Sequence, residues 1–177
     1  MDGMLELLRL INALGKVDGR KKLQKIVYIL QSMGYPFPQR FGYLHYGPYS
    51  SGLAAEMDSL VSAGLVTEQK RDGGGYESYV YELGADATNL LKELKKTDEP
   101  IWATHAVKFN KQDANSLEAL STVIYLRKNG FCGDGLRDRF TALKPQLKKY
   151  YESALEAETK LPKPKLSPRA VGTSAIY

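Results

Sequence analysis

Three observations predict a mainly helical α+β protein. Apolar residues recur at helical spacing through most of the 177-residue chain. Two short runs of alternating polarity flank a triple glycine, Asp72-Gly73-Gly74-Gly75, which reads as a hairpin. Hydrophobic residues make up 43% and charged residues 25%, enough apolar side chains for a sizeable core.

The elements follow in order. Residues 4–14 form an amphipathic helix with Leu5, Leu8 and Ile11 on one stripe, closed by Gly15. Residues 19–34 form the next. Leu23, Ile26, Val27 and Leu30 lie on its inner face, Lys21, Lys25 and Tyr28 point the other way, and Gly34 ends it. Pro36 and Pro38 then forbid helix, and Phe41 to Tyr46 alternate as a short strand. Gly47-Pro48 reads as a turn, after which Ser50 or Ser51 caps a helix over 51–63, buried through Leu53, Met57, Leu60 and Val61. Strands over 65–69 and 76–83 enclose the glycine turn. Helix, strand, glycine turn, strand is the back half of a winged helix.

A helix over 85–96 completes a winged-helix-like domain, residues 1–97. A helical extension, 98–160, follows. It opens at Asp98-Glu99-Pro100 with Ile101, Trp102, His105 and Phe109 on one broad face. Asn115 with Glu118 makes a capping box for a helix over 116–129, the segment from Phe131 to Gly135 is a loop, and Pro145 splits two last helical segments. Residues 161–177 hold three prolines without periodicity and form an extended basic tail. One use for such a tail is an arm laid across a neighbouring subunit, giving a homo-oligomer.

Several classes of chemistry lack their residues. Cys132 is the single cysteine, so no internal disulfide and no multi-cysteine zinc site can form. His45 and His105 have no metal-ligand spacing with one another or with Cys132, and no metal or cofactor is expected. His105 sits among Trp102 and Phe109 as a core or boundary histidine, and His45 sits between tyrosines as a contact residue. No lysine follows the glycine turn at phosphate-loop spacing. An enzyme built on His45 and its tyrosines is thus the weakest reading, and a non-enzymatic protein is expected. No apolar run reaches the ~18 residues of a membrane span, and the first residues lack the basic start of a signal peptide. A cytoplasmic protein without a membrane partner is the expectation.

Two binding readings remain. The net charge is +5, but residues 1–100 hold 12 Lys/Arg and 13 Asp/Glu, while residues 101–177 hold 13 and 7. The positive excess therefore lies outside the domain with the binding fold. The helix in the recognition position exposes Ala, Ser, Glu56 and Asp58, none of them a base-reading side chain. Nucleic acid would be held by phosphate contacts from Lys21, Lys22, Lys25, Lys70 and Arg71. Tyrosine placement points elsewhere: eight of the 12 tyrosines fall between Tyr28 and Tyr81. Tyrosine suits surfaces that are part apolar and part wet, as interfaces are.

The stretch Gly19-Arg20-Lys21-Lys22-Leu23-Gln24-Lys25-Ile26-Val27-Tyr28-Ile29-Leu30, followed by Phe41-Gly42-Tyr43-Leu44-His45-Tyr46-Gly47-Pro48-Tyr49-Ser50, resembles the YwgA-like group of bacterial and archaeal proteins. It is similar, more distantly, to the Panacea (SocA-like) domain, over about residues 5–95. For Panacea domains that resemblance implies a proteinaceous antitoxin or adaptor without catalysis. The expected function is a non-enzymatic protein-binding module, antitoxin-like or an adaptor, whose partner is a toxin-like or other protein. Its surface combines the turn residues Tyr43, His45, Tyr46 and Tyr49 with a basic helix face, Lys21 and Lys25. The alternative is a winged-helix nucleic-acid-binding regulator contacting mainly phosphates.

Overall fold

Leu23 to Leu30 are eight consecutive buried residues, so the helix that carries them is enclosed on every side. This helix, α2 (Arg20–Ser32), is the axis of the fold. The computed structural model describes residues 2–72 and 77–162, with side chains over 3–71 and 79–162. The expected glycine turn and tail lie outside the described residues, apart from Asp72, Leu161 and Pro162.

Ahead of α2 come α1 (Asp2–Leu14) and β1 (Lys16–Asp18). After it come a hairpin of β2 (Gly42–Leu44) and β3 (Gly47–Tyr49), then α3 (Ser51–Ser62), β4 (Val66–Asp72) and β5 (Glu77–Leu83). The helices α4 (Ala85–Glu93), α5 (Ala103–Asn110), α6 (Ala114–Lys128) and α7 (Gly133–Leu143) follow. A 3-10 turn, Pro145–Tyr150, leads into α8 (Tyr151–Thr159). The larger sheet is antiparallel in the order β1-β5-β4, with Val17 opposite Tyr81 and Thr67 opposite Glu82. The mainly helical α+β class is the one expected.

Two hydrophobic clusters meet at α6. The first joins Leu7, Leu10 and Ile11 of α1 to Ile26 and Ile29 of α2, and continues into Trp102, Phe109, Leu117, Leu120 and Ile124. The second gathers Ala119, Val123 and Leu126 with Leu136, Phe140, Leu147 and Tyr151. One side of α6 thus serves each cluster, and the first cluster runs through residues on both sides of position 97.

Tertiary packing overrides several local expectations. Lys25 and Tyr28, expected to face outward, are buried, because α6 and the hairpin cover that side of α2. Tyr28 meets Phe41 edge-on at 5.1 Å and Tyr125 at 6.5 Å. Gly47-Pro48 is strand rather than turn: Leu44 pairs with Gly47 and Tyr43 with Pro48, so the chain reverses at His45 and Tyr46. Asp113, not Asn115, caps α6, its Oδ1 accepting from the backbone N–H groups of Asn115 and Ser116 at 3.0 Å. Bonds from Ser116 and from these backbone groups hold the Asp113 carboxyl below its ordinary pKa. Ile101 stands 85% exposed ahead of α5 instead of joining the face of Trp102 and Phe109. Gly133 to Gly135 begin α7 rather than ending a loop. Strand β1 carries no periodicity of its own and was not expected.

Gly84 links β5 to α4, where a Cβ would collide with the carbonyl oxygen of Gly64. Gly84→Ala is expected to cost about 1–3 kcal/mol of stability through overpacking against backbone. Urea unfolding of the variant beside the parent measures it.

Candidate functional site

The two sequence stretches that stood out, around Leu23-Gln24-Lys25 and Pro48-Tyr49-Ser50, bond to one another. Gln24 Nε2 donates to the Ser50 carbonyl and Gln24 Oε1 accepts from the Ser50 N–H, both at 2.9 Å. Lys25 Nζ donates to the Pro48 carbonyl at 2.7 Å. Ser50 Oγ in turn accepts from the Leu53 N–H at 3.1 Å, capping α3. The side chains of α2 therefore bind the main chain that leads from the hairpin into α3.

Between these elements lies a cleft of about 180 Å³. Its floor is Leu23, Leu53, Ala54 and Met57, and its rim carries Lys21, Tyr46 and Tyr49. Lys21 Nζ sits 3.2 Å above the centre of the Tyr46 ring, a cation–π contact. Tyr46 is 49% and Tyr49 36% exposed. His45 packs edge-on against Tyr46 at 4.9 Å. At the far end Arg20 makes a bidentate pair with Glu68, both bonds at 2.8 Å, and Glu68 also accepts from the Tyr81 hydroxyl at 2.7 Å. The Glu68 bond raises the Arg20 pKa, while burial followed by the Glu68 bond raises that of Tyr81.

The six expected partner-binding residues are divided by this geometry. Lys21, Tyr46 and Tyr49 share the rim, with His45 beside them. Tyr43 instead turns inward, its ring 4.9 Å from that of Tyr125 and its hydroxyl buried without a hydrogen bond. Lys25 lines the inner wall of the cleft, buried, with its ammonium on the Pro48 carbonyl. It belongs to no exposed basic face. The five expected phosphate contacts do not gather either. Lys22 donates to the Asn110 carbonyl, while Lys70 and Arg71 stand on β4, where Arg71 approaches Asp18 at 3.9 Å.

A buried polar cluster supports the hairpin from behind, and sequence reasoning missed it. Lys144, fully buried, donates from Nζ to the His45 carbonyl and to Glu118 Oε1, both at 2.5 Å. Glu118 was expected to serve a capping box, but Lys144 takes it. The Thr122 hydroxyl is buried nearby without a hydrogen bond. Gly47 has φ +86°, and a Cβ there would press on Thr122 Oγ1 at 3.2 Å, so glycine is required by both backbone and space. Burial, with added repulsion from Lys144 and Lys21, pushes the Lys25 pKa down to about 8, against a smaller upward pull from Glu118. The partners of Lys144 lie 26 and 99 residues away in sequence, so no local pattern could reveal them.

The protein described as "Uncharacterized protein YwgA" from Bacillus subtilis (strain 168) is 32% identical to this chain over 133 residues, 75% of each. No protein-family model matches the chain.

Lys25 titrates with a defined sign. Its folded-state pKa lies below the unfolded value, so the penalty is complete below pH 8 and is relieved as pH rises toward 10.5. Between pH 7 and 9.5 the parent is expected to gain about 2 kcal/mol of unfolding free energy relative to Lys25→Met. Urea titrations of both proteins at the two pH values check this. Lys144→Met leaves Glu118 without the cation bonded to it and is expected to lose about 3 kcal/mol, read from the shift of the same unfolding curve.

Proposed function

This chain belongs to the YwgA-like family, and from that premise we propose that it is a non-enzymatic protein-binding module of antitoxin-like or adaptor type. The observation that carries the reading is the aromatic rim, Tyr46 and Tyr49 beside Lys21 over an apolar floor. Exposed tyrosines next to a fillable apolar pocket are the composition of an interface hot spot. The toxin-like or other protein partner would seat part of itself in that cleft.

The element order also bears on the alternative. The order α1, β1, α2, the β2-β3 hairpin, α3, β4 and β5, with the sheet ordered β1-β5-β4, supports a winged-helix-like reading in which a hairpin is added between the second and third helices. In that arrangement α3 is the helix offered to a DNA groove. Its exposed residues include Ser51, Ala55, Asp58 and Ser59, which supply no base-reading donor set and one repelling carboxylate. Of the candidate phosphate contacts, Lys25 is buried and Lys22 is engaged with a carbonyl. These observations favour protein over nucleic acid.

Affinity purification of the full chain from its native host is expected to retain a protein partner in stoichiometric amount. Tyr46→Ala and Tyr49→Ala should each lower retention about tenfold with unchanged thermal unfolding, since both side chains are partly solvent-exposed. Retention indifferent to both changes, or a duplex DNA shift at low salt without any protein partner, overturns the reading.

A further inference from the structure

We propose that the cleft receives one large apolar side chain, aromatic or long aliphatic, from an acidic peptide segment whose neighbouring carboxylate rests on Lys21. The inference deepens the protein-binding reading and rests on it.

Size comes first. At about 180 Å³ the cleft is smaller than the roughly 300–1,000 Å³ typical of cofactor and small-molecule sites, and suits a single inserted side chain. Its floor is apolar, and Met57 gives it an adaptable surface for rings or branched chains. Outside the cleft the hairpin continues the contact surface through His45 and Leu44, the latter 57% exposed. That surface exceeds what one small ligand would cover, which favours a peptide segment over a free metabolite.

Charge then selects the peptide. The two ends of the cleft are unlike. At one end Arg20 is neutralised by Glu68 and lies close enough to Asp58 to feel its charge. At the other end Lys21 has no carboxylate partner and no hydrogen-bond acceptor among the described residues; its contact is the Tyr46 ring. Behind Lys21 stand Lys25 and Lys144, which share the one carboxylate of Glu118. Three cations face one anion at this end. A carboxylate arriving here meets the Lys21 ammonium, since Glu118 already offsets the lysines behind it, while a cationic segment meets repulsion there. Polyanionic backbone is a poorer match, because Asp58 lines the same cleft and repels phosphate.

The test uses three synthetic peptides on the full chain, followed through the Met57 methyl signal by NMR. They are acetyl-Gly-Glu-Asp-Phe-Glu-Glu-Gly-amide, the same peptide with Ala for Phe, and the same peptide with Gln and Asn for every acid. The acidic Phe peptide is expected to shift Met57 saturably, and the Ala peptide to leave it unmoved. The amide peptide should bind about three- to fivefold more weakly, the scale of an exposed ion pair, with the difference erased by salt. Lys21→Gln should bring the acidic peptide down to the level of its amide version. Equal binding of acidic and amide peptides to the parent overturns the proposal, as does an acidic preference that survives in Lys21→Gln, or shifts that bypass Met57. Failure of this inference is separable from failure of the reading beneath it. A partner whose retention depends on Tyr46 and Tyr49 but not on Lys21 defeats the acidic segment and leaves the protein-binding module standing.

Discussion

The structure depends on a helix whose polar side chains satisfy the backbone of its neighbour. A buried main-chain group without a partner costs free energy comparable to a lost hydrogen bond, so the segment from Pro48 to Ser50 cannot lie against α2 unless α2 supplies partners. Gln24 supplies two and Lys25 one. With those bonds made, Ser50 is oriented to cap α3, and α3 starts at a defined place relative to α2. The cleft between them follows from this clamp. Its floor comes from both helices and its rim from the hairpin that the clamp holds.

The same hairpin is fixed from its other side. Lys144, reaching from the junction of α7 with the 3-10 turn, bonds the His45 carbonyl and Glu118 of α6. A buried ion pair of this kind adds little net stability when complete and is costly when broken. Its structural contribution here is position: it pins the tip of the hairpin, which presents Tyr46 at the rim. A rim held by two independent anchors loses less side-chain and backbone freedom when it is covered, and preorganisation of that kind favours association. The surplus of lysines over carboxylates behind the rim is the by-product of this anchoring, and Lys21 on the rim sets the polarity of the cleft.

Much of the helical framework was legible in residue spacing. Gly15 and Gly64 end helices where expected, Ser50 caps α3, and Leu23, Ile26, Val27 and Leu30 face the core. The candidate site was legible in part. Lys21, Tyr46 and Tyr49 stand together on the rim, whereas Tyr43 and Lys25 point into the protein. An alternating pattern cannot tell a strand followed by a turn from one that reverses two residues earlier, and the hairpin register turned on that difference. Likewise Asn115 with Glu118 satisfies a capping-box spacing, but Asp113 and Lys144 compete for the same groups and win. Strand β1 escaped notice because three residues offer no period to read.

By itself, the sequence determined the class of fold, the places where helices stop, and the concentration of tyrosine around one helix and one turn. These are local properties, set by side-chain period, by the φ freedom of glycine and by capping oxygens within a few residues. Tertiary structure alone decided which side of α2 is covered, which lysines are free, and which carboxylate balances which cation. Those outcomes depend on contacts between residues as far apart as His45 and Lys144. Burial changes the chemistry of a lysine more than its neighbours in sequence do, because desolvation acts on the charge wherever the chain happens to bring cover.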